Sequence, residues 1–148
     1  MRLVVSTPLA VVVDTDLVRH LRAEDASGAF GILSGHADFL TALDVSVITW
    51  QDGRGAEHHV AVRGGMLAVE QGHTISVATR EAVADDDLRR LEDEVLAVFR
   101  RRHDDELRAR LDAQRLYLNA IRQIYRHLRP QQPASSSPVF GAGPGSPP

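Results

Sequence analysis

The first half of the chain is organised by a two-residue alternation of apolar and polar side chains. The alternation is clearest in three consecutive segments, EHHVAVR, MLAVE and TISVAT, between residues 57 and 79. Successive side chains of a strand point to opposite faces of a sheet, so this pattern predicts half-buried β-strands. Gly64-Gly65 lies between the first two segments, and adjacent glycines are typical of a two-residue hairpin loop. We therefore expect the chain to reverse direction there.

Four earlier segments also have the length and composition of strands: RLVVS, LAVVVD, LVRHLRA and VSVITW. Short strands at a spacing of about ten residues are typical of a β-sandwich or a flattened barrel. Residues 1–84 are thus predicted to form an all-β domain.

The apolar period changes to that of a helix in residues 85–129, which contain neither glycine nor proline. Three consecutive aspartates at 85–87 suit a helix N-terminus, and a first apolar series follows: Leu88, Leu91, Val95 and Val98. After the polar stretch RRRHDDE, a second series has the heptad spacing of a coiled-coil seam: Leu107, Leu111, Gln114, Leu118, Ile121, Tyr125 and Leu128. Two narrow seams joined by a polar connector predict an antiparallel helical hairpin.

Residues 130–148 are rich in proline, glycine and serine, which predicts a flexible, disordered tail. The fold class is therefore α+β, with three predicted regions: a β-sandwich in 1–84, a two-helix hairpin in 85–129 and the tail.

Composition excludes several classes of function. The 148 residues include no cysteine, which rules out disulfides and thiolate chemistry. The net charge of −3 does not favour nucleic acid as a partner. No apolar run approaches the roughly 18 residues that span a bilayer, and the first residues lack the pattern of a signal peptide. We expect a water-soluble chain that meets a membrane only through partners.

Neither a catalytic site nor a metal site is predicted. His58 and His59 are adjacent in a strand, so their side chains point to opposite faces and do not share an ion. Ser34 and His36 stand two residues apart without an acid to orient the histidine, and GxSxG and P-loop motifs are absent from the sequence.

The second predicted helix is strongly basic, with six arginines after residue 107 against one carboxylate, Asp112. Its basic face includes Arg108, Arg115, Arg122 and Arg126. Such a face is either a solvated surface or a docking surface for an acidic partner, and the sequence leaves both open.

Two blocks of residues resemble the epsilon subunit of F-type ATP synthases, the counterpart of mitochondrial delta. The first block comprises Gly28, Gly31-Ile32-Leu33, Gly35-His36-Ala37 and Leu40–Leu43, which match the family in spacing. The second comprises Gly64–Val69 and Thr74–Val83. Together they cover much of residues 28–84. The proline-rich tail suggests a variant bacterial ATPase.

The resemblance implies a ten-stranded sandwich and a non-catalytic rotor subunit that links gamma to the c-ring during ion-driven ATP synthesis. The implied partners are gamma, the c-ring and the catalytic alpha and beta subunits, at the cytoplasmic face of the cell membrane. The helical hairpin would inhibit ATP hydrolysis through its basic face. The implied interface with gamma and the c-ring is a loop at residues 28–38, which contains Ala29, Phe30, Ser34, Gly35, His36 and Asp38.

The chain departs from the family pattern in ways that affect these expectations. Ser34 and Asp38 replace two prolines, which predicts a less rigid loop. Some members bind ATP through an Asp-x-x-Arg-Ala motif, and here Asp86 and Arg89 match while Arg90 replaces the alanine. No other cofactor is implied.

A different class of function also fits the residues. A stand-alone β-sandwich adaptor or ligand sensor would dimerise through its helices. Co-purification with a gamma-like subunit favours the rotor hypothesis, whereas a stable homodimer without such a partner favours the adaptor.

Overall fold

Eight β-strands and one helical segment make up the residues that the structure describes. The computed structural model describes residues 1–128 together with Gly143 and Gly145, so the rest of the tail predicted at 130–148 lies outside the described residues. The strands are β1 (Arg2–Ser6), β2 (Val11–Thr15), β3 (Val18–Asp25), β4 (Gly28–Leu33), β5 (Phe39–Asp52), β6 (Glu57–Glu70), β7 (Thr74–Ala78) and β8 (Ala82–Ala84). The helical segment comprises α1 (Leu88–Arg90), a π-helical turn (Leu91–Val95) and α2 (Leu96–Leu128).

The strands form one hydrogen-bonded sheet in the order β2-β1-β7-β6-β5-β3-β4, with β8 also paired to β6. β1 runs parallel to β7, whereas the other strand pairs in the described residues are antiparallel. One face of the sheet encloses an aliphatic core in which the largest fully buried side chains include Leu3, Leu21, Ile32, Ile48, Leu67 and Ile75. The alternation in the sequence correctly identified this inner face.

The predicted reversal at Gly64-Gly65 is wrong. β6 runs through both glycines and pairs with β5 on either side of them, from Phe39 opposite Val69 to Gln51 opposite Glu57. The backbone φ angles of Gly64 and Gly65 are 66° and 121°, so the strand bends at this point without turning back. 

The expected count of ten strands is wrong for the same reason. β6 is one continuous strand of fourteen residues where EHHVAVR and MLAVE were predicted as two, and β5 is also a single strand of fourteen residues. The described residues therefore contain eight strands.

The predicted helical hairpin is also wrong. α2 continues from Leu96 to Leu128 through the polar stretch that was interpreted as a connector. That stretch contains no helix breaker, and polarity alone does not end a helix. The chain divides into two units, residues 1–108 and 109–148, which are described separately below.

Within the first unit, a π-helical turn determines which side chains of the helical segment pack on the sheet. The carboxylate of Asp87 caps the helix start by accepting from two backbone N–H groups. Leu91, Leu96 and Phe99 are buried with Ala61 of β6. The predicted seam instead placed Val98 inward, but Val98 is 47% exposed. A π turn inserts one extra residue, which rotates the following residues by about 100° and brings Phe99 onto the sheet.

A cluster of five charged side chains joins the beginning of α2 to the sheet. Arg63 of β6 has a side chain only 10% exposed; its Nε lies 2.9 Å from Glu81 Oε2 and its Nη1 lies 2.8 Å from Glu106 Oε1. Arg80 also contacts Glu106, and Arg102 of α2 contacts Glu81. The carboxylates of Glu81 and Glu106 therefore each form ion pairs with two guanidinium groups.

Candidate functional site

The predicted interface residues lie in an edge strand and in the loop that follows it. Ala29 and Phe30 belong to β4, the last strand in the sheet order, and the loop is confined to Ser34–Asp38. The Phe30 ring packs edge-on against Phe39, with centroids 5.6 Å apart. The His36 ring packs against the same phenylalanine at 5.7 Å. Aromatic contacts thus connect β4, the loop and the start of β5.

The loop is also hydrogen-bonded to the turn between β6 and β7. The backbone N–H of Gly35 donates to the carbonyl of Gly72 at 2.8 Å. The Asp38 Oδ1 atom accepts from the backbone N–H of Gln71 at 2.7 Å. These hydrogen bonds restrain a loop that lacks the two prolines of the family pattern. The sequence did not suggest them.

Asp25 fastens the neighbouring turn between β3 and β4. Its Oδ1 accepts from the Ser27 hydroxyl at 2.6 Å and from the Ser27 N–H at 2.8 Å. Its Oδ2 accepts from the Thr41 hydroxyl at 2.7 Å. The Ser27 hydroxyl above all, then the Thr41 hydroxyl, lowers the pKa of the Asp25 carboxyl, because both hydrogen bonds favour the ionised form.

In the second unit, α2 presents the predicted basic face on an exposed helix. Arg115, Arg122 and Arg126 are exposed, as is Arg108 at the end of the first unit. Apolar residues of the heptad seam are exposed as well: Leu111, Leu118, Tyr125 and Leu128 have exposed fractions of 54%, 53%, 70% and 72%. The seam that was expected to pack inside a hairpin is available to a partner.

The two residues predicted for nucleotide binding contact different groups. Asp86 Oδ1 lies 3.5 Å from Nδ1 of His58, whose Nε2 lies 3.3 Å from Asp52 Oδ2. Arg89 is exposed and donates its backbone N–H to the capping carboxylate of Asp87. Nucleotide binding at Asp86 and Arg89 stays a prediction.

Sequence reasoning missed an extended uncharged surface, which we call the outer sheet face. Strand register aligns two rows of outward positions across β5, β6, β7 and β1. The first row is Leu40, Ala68, Ser76 and Val4, and the second is Ala42, Met66, Ala78 and Ser6. Leu40 is 66% exposed and Met66 is 43% exposed. Outward positions of a solvated sheet are normally polar, so these small and apolar residues were the signal available in the sequence.

Comparison with known proteins decides the family. The family model for the β-sandwich domain of the ATP synthase delta/epsilon chain matches residues 1–85. An ATP synthase epsilon chain 2 from Paraburkholderia xenovorans is 40% identical over 132 residues, covering 89% of this chain and 95% of the relative. This chain belongs to the ATP synthase epsilon family. A second epsilon chain 2, from Cereibacter sphaeroides, is 43% identical over 124 residues, covering 84% and 85% of the two chains.

The fold agrees with this assignment. A chain in the solved mitochondrial ATP synthase of Euglena gracilis (OSCP/F1/c-ring) matches with a TM-score of 0.53 at 20% identity, covering 55% of this chain and 51% of the other. The sheet and core described above are accordingly the epsilon-family β-sandwich. The predicted family is confirmed, and membership makes the chain a stalk and regulatory subunit of F-type ATP synthase, distinct from the catalytic one. In the described part of the chain, no helix is long and apolar enough to span a membrane.

Proposed function

We propose that this epsilon chain is the rotor subunit that links gamma to the c-ring during ion-driven ATP synthesis. It would act at the cytoplasmic face of the cell membrane, held there through the complex. Family membership supports the role, and the outer sheet face is the observation that carries it, because a coupling element needs a broad surface for a rigid partner.

The outer sheet face has the properties of a protein interface. Its eight positions carry no charged side chain, and most of the side chains are small. The surface is therefore flat, and removing water from it costs little free energy. The strands beneath it are hydrogen-bonded to one another, which resists shear when torque is transmitted. We assign gamma to this face. We assign the c-ring to the end of β4 and the following loop, with Ala29, Phe30, Ser34, Gly35, His36 and Asp38.

The second unit supplies a regulatory element in this proposal. An exposed apolar seam beside Arg115 and Arg122 suits a helix that docks on acidic segments of the catalytic subunits and blocks rotation during ATP hydrolysis. A second copy of the chain is a poorer partner, because pairing the same seams would bring these arginines close to arginines of the other helix. The charge pattern therefore favours the rotor hypothesis over the homodimeric adaptor.

Met66→Lys tests the assignment of gamma. A lysine in the middle of the outer sheet face would be buried without a partner in the complex, so we expect co-purification with gamma to be lost. Leu17→Lys is the matched control, because Leu17 is 65% exposed and lies outside this face. Retention of gamma by Met66→Lys at the wild-type level would contradict the assignment.

Truncation after Arg108 tests the regulatory role. The cut retains Leu91, Leu96 and Phe99, which pack on the sheet, so the first unit keeps its core. We expect the assembled complex to hydrolyse ATP faster, and a double charge reversal of Arg115 and Arg122 to have the same effect. An unchanged or lower rate with assembly intact would refute the inhibitory role.

A further inference from the structure

We propose that Asp38 is a positioning residue that joins the β4–β5 loop (Ser34–Asp38) to the β6–β7 turn (Gln71–His73), so that the two form one contact surface. The role of Asp38 in the rotor rests on the proposed function and adds a second segment to its interface. Beyond its place in the predicted interface loop, the Asp38 carboxylate has a structural role. It holds a second segment, which the sequence did not single out, beside the predicted interface loop.

Two hydrogen bonds connect the segments at either end of the loop. The Gly35 N–H donates to the carbonyl of Gly72 at 2.8 Å, and the Asp38 carboxylate accepts from the Gln71 N–H at 2.7 Å. The second bond joins residues 33 positions apart in the chain. An ionised acceptor makes it stronger than a bond between neutral groups.

Gln71 has the backbone conformation that makes this bond informative. Its φ of 54° lies in the left-handed region, and it is the one non-glycine residue of the described chain with a positive φ. A residue with a β-carbon is disfavoured there, so surrounding contacts must hold it. The Asp38 carboxylate supplies such a contact by accepting the amide hydrogen of that same residue.

The two backbones are also in close contact. Gly72 is buried, and a β-carbon on it would lie 2.9 Å from Gly35 Cα and 3.3 Å from the carbonyl oxygen of His36. Only glycine fits this approach, and the loop has no space to shift towards the turn. The His36 N–H then bonds the Leu33 carbonyl at 3.1 Å, which continues the connection into β4.

The consequence is a contact surface wider than the predicted loop. Ser34 and Ala37 of the loop are exposed, and so are Gln71 and His73 of the turn. A partner that docks on the loop therefore meets a fixed neighbouring turn, and the relative position of the two depends on Asp38.

Amide hydrogen exchange of the full chain tests the positioning role. Asp38→Ala removes the acceptor, and we expect exchange at Gln71 and Gly35 to accelerate about tenfold while core amides such as Ile75 are unchanged. Asp38→Asn retains an acceptor oxygen and should preserve most of the protection. Asp93→Ala, an exposed carboxylate on the helical segment, is the control. 

A second variant keeps the test decisive. Gln71→Gly tolerates the left-handed conformation without assistance, so adding it to Asp38→Ala should restore protection at Gly35. Unchanged exchange in Asp38→Ala, with Trp50 fluorescence confirming the fold, would overturn the proposal.

Binding to a purified gamma–c-ring rotor tests the contact surface separately. We expect Asp38→Ala to weaken binding about tenfold and the double variant to recover it. Faster exchange with unchanged binding would overturn the shared contact surface and the loop's place in the proposed function, while the positioning of the turn by Asp38 would stand.

Discussion

Gly65 is the position where the bend of β6 can be tested most directly. Its φ is 121°, and an added β-carbon would lie 2.2 Å from the carbonyl oxygen of Ala78 and 2.9 Å from Thr79 Cα. Both are backbone atoms at the end of β7, so no side chain can move aside to make room. Gly65→Ala must therefore distort either β6 or its pairing with β7.

The loss of unfolding free energy in Gly65→Ala has a conformational part and a steric part. A left-handed backbone conformation costs an L-residue about 1–2 kcal/mol, and forcing an extra carbon into a packed region adds about 1–3 kcal/mol. We expect Gly65→Ala to lower the free energy of unfolding by about 2–5 kcal/mol, a large part of the roughly 5–15 kcal/mol typical of a domain.

Gly28→Ala separates the two parts. Gly28 has nearly the same φ, 120°, but nothing lies within 4 Å of an added β-carbon. This variant should show the conformational cost alone, about 1–2 kcal/mol.

Urea unfolding followed by the fluorescence of the single tryptophan measures both variants. Trp50 is 7% exposed in the core, so its emission reports unfolding of the sandwich. We expect the urea midpoint of Gly65→Ala to lie about 1 M below that of Gly28→Ala, given a steric part of about 2 kcal/mol and a slope of about 2 kcal/mol per M. Equal destabilisation of the two variants would show that β7 does not approach Gly65, and the argument for a bend required by packing would fail.

Three further predictions concern stability. Phe99→Ala should cost about 3–5 kcal/mol in urea unfolding because the ring is buried between α2 and the sheet, whereas Val98→Ala, on the exposed side, should change little; similar losses would contradict the π-turn rotation. Arg63→Ala removes the most buried side chain of the cluster and leaves Glu81 and Glu106 with one guanidinium partner each, so it should cost about 3 kcal/mol. Arg102→Ala, at a side chain that is 55% exposed, should cost at most about 1 kcal/mol; the reverse order would refute the central role of Arg63. The folded-state pKa of Asp25 is lowered, so its contribution to stability is complete above pH about 4 and is lost as the pH falls through the folded-state pKa. Between pH 6 and 3, the urea midpoint of Asp25→Asn should therefore fall less than that of the wild type. Parallel dependence of the two midpoints on pH would contradict this.

Local patterns predicted the strands well where the chain is locally unambiguous. The segment predicted at RLVVS coincides with β1, and the one predicted at TISVAT exceeds β7 by one residue. The prediction of a chain reversal at Gly64-Gly65 was wrong because two glycines permit either a reversal or a bend. The choice depends on Ala78, a residue whose position in space the local sequence does not reveal.

The prediction of a helical hairpin was wrong for a related reason. A heptad seam has the same spacing whether its partner is a helix of the same chain or another protein, so the pattern from Leu107 to Leu128 did not establish a hairpin. Similarly, the π turn at Leu91–Val95 leaves no obvious trace in the sequence, and it decided that Phe99 and not Val98 faces the sheet.

The candidate site was only partly predictable. The family resemblance led to the prediction of the loop as an interface, but the hydrogen bond of Asp38 was not predicted because its partner, Gln71, is distant in sequence. The outer sheet face appears only after strand register aligns Leu40, Ala68 and Ser76, since each strand alone contributes one or two unremarkable small residues.

The parallel pairing of β1 with β7 bears on how this chain is made. Arg2 is aligned with Thr74 and Ser6 with Ala78, so β1 leaves the ribosome well before β7, the strand with which it pairs. Closing so long a loop costs entropy before any ladder bond forms, and contacts between such distant residues slow folding. The hairpin of β5 and β6 involves nearer neighbours, and it emerges before β7, so it forms sooner. Until β7 emerges, β1 has an unpaired edge, and crowding of nascent chains is most hazardous in that interval.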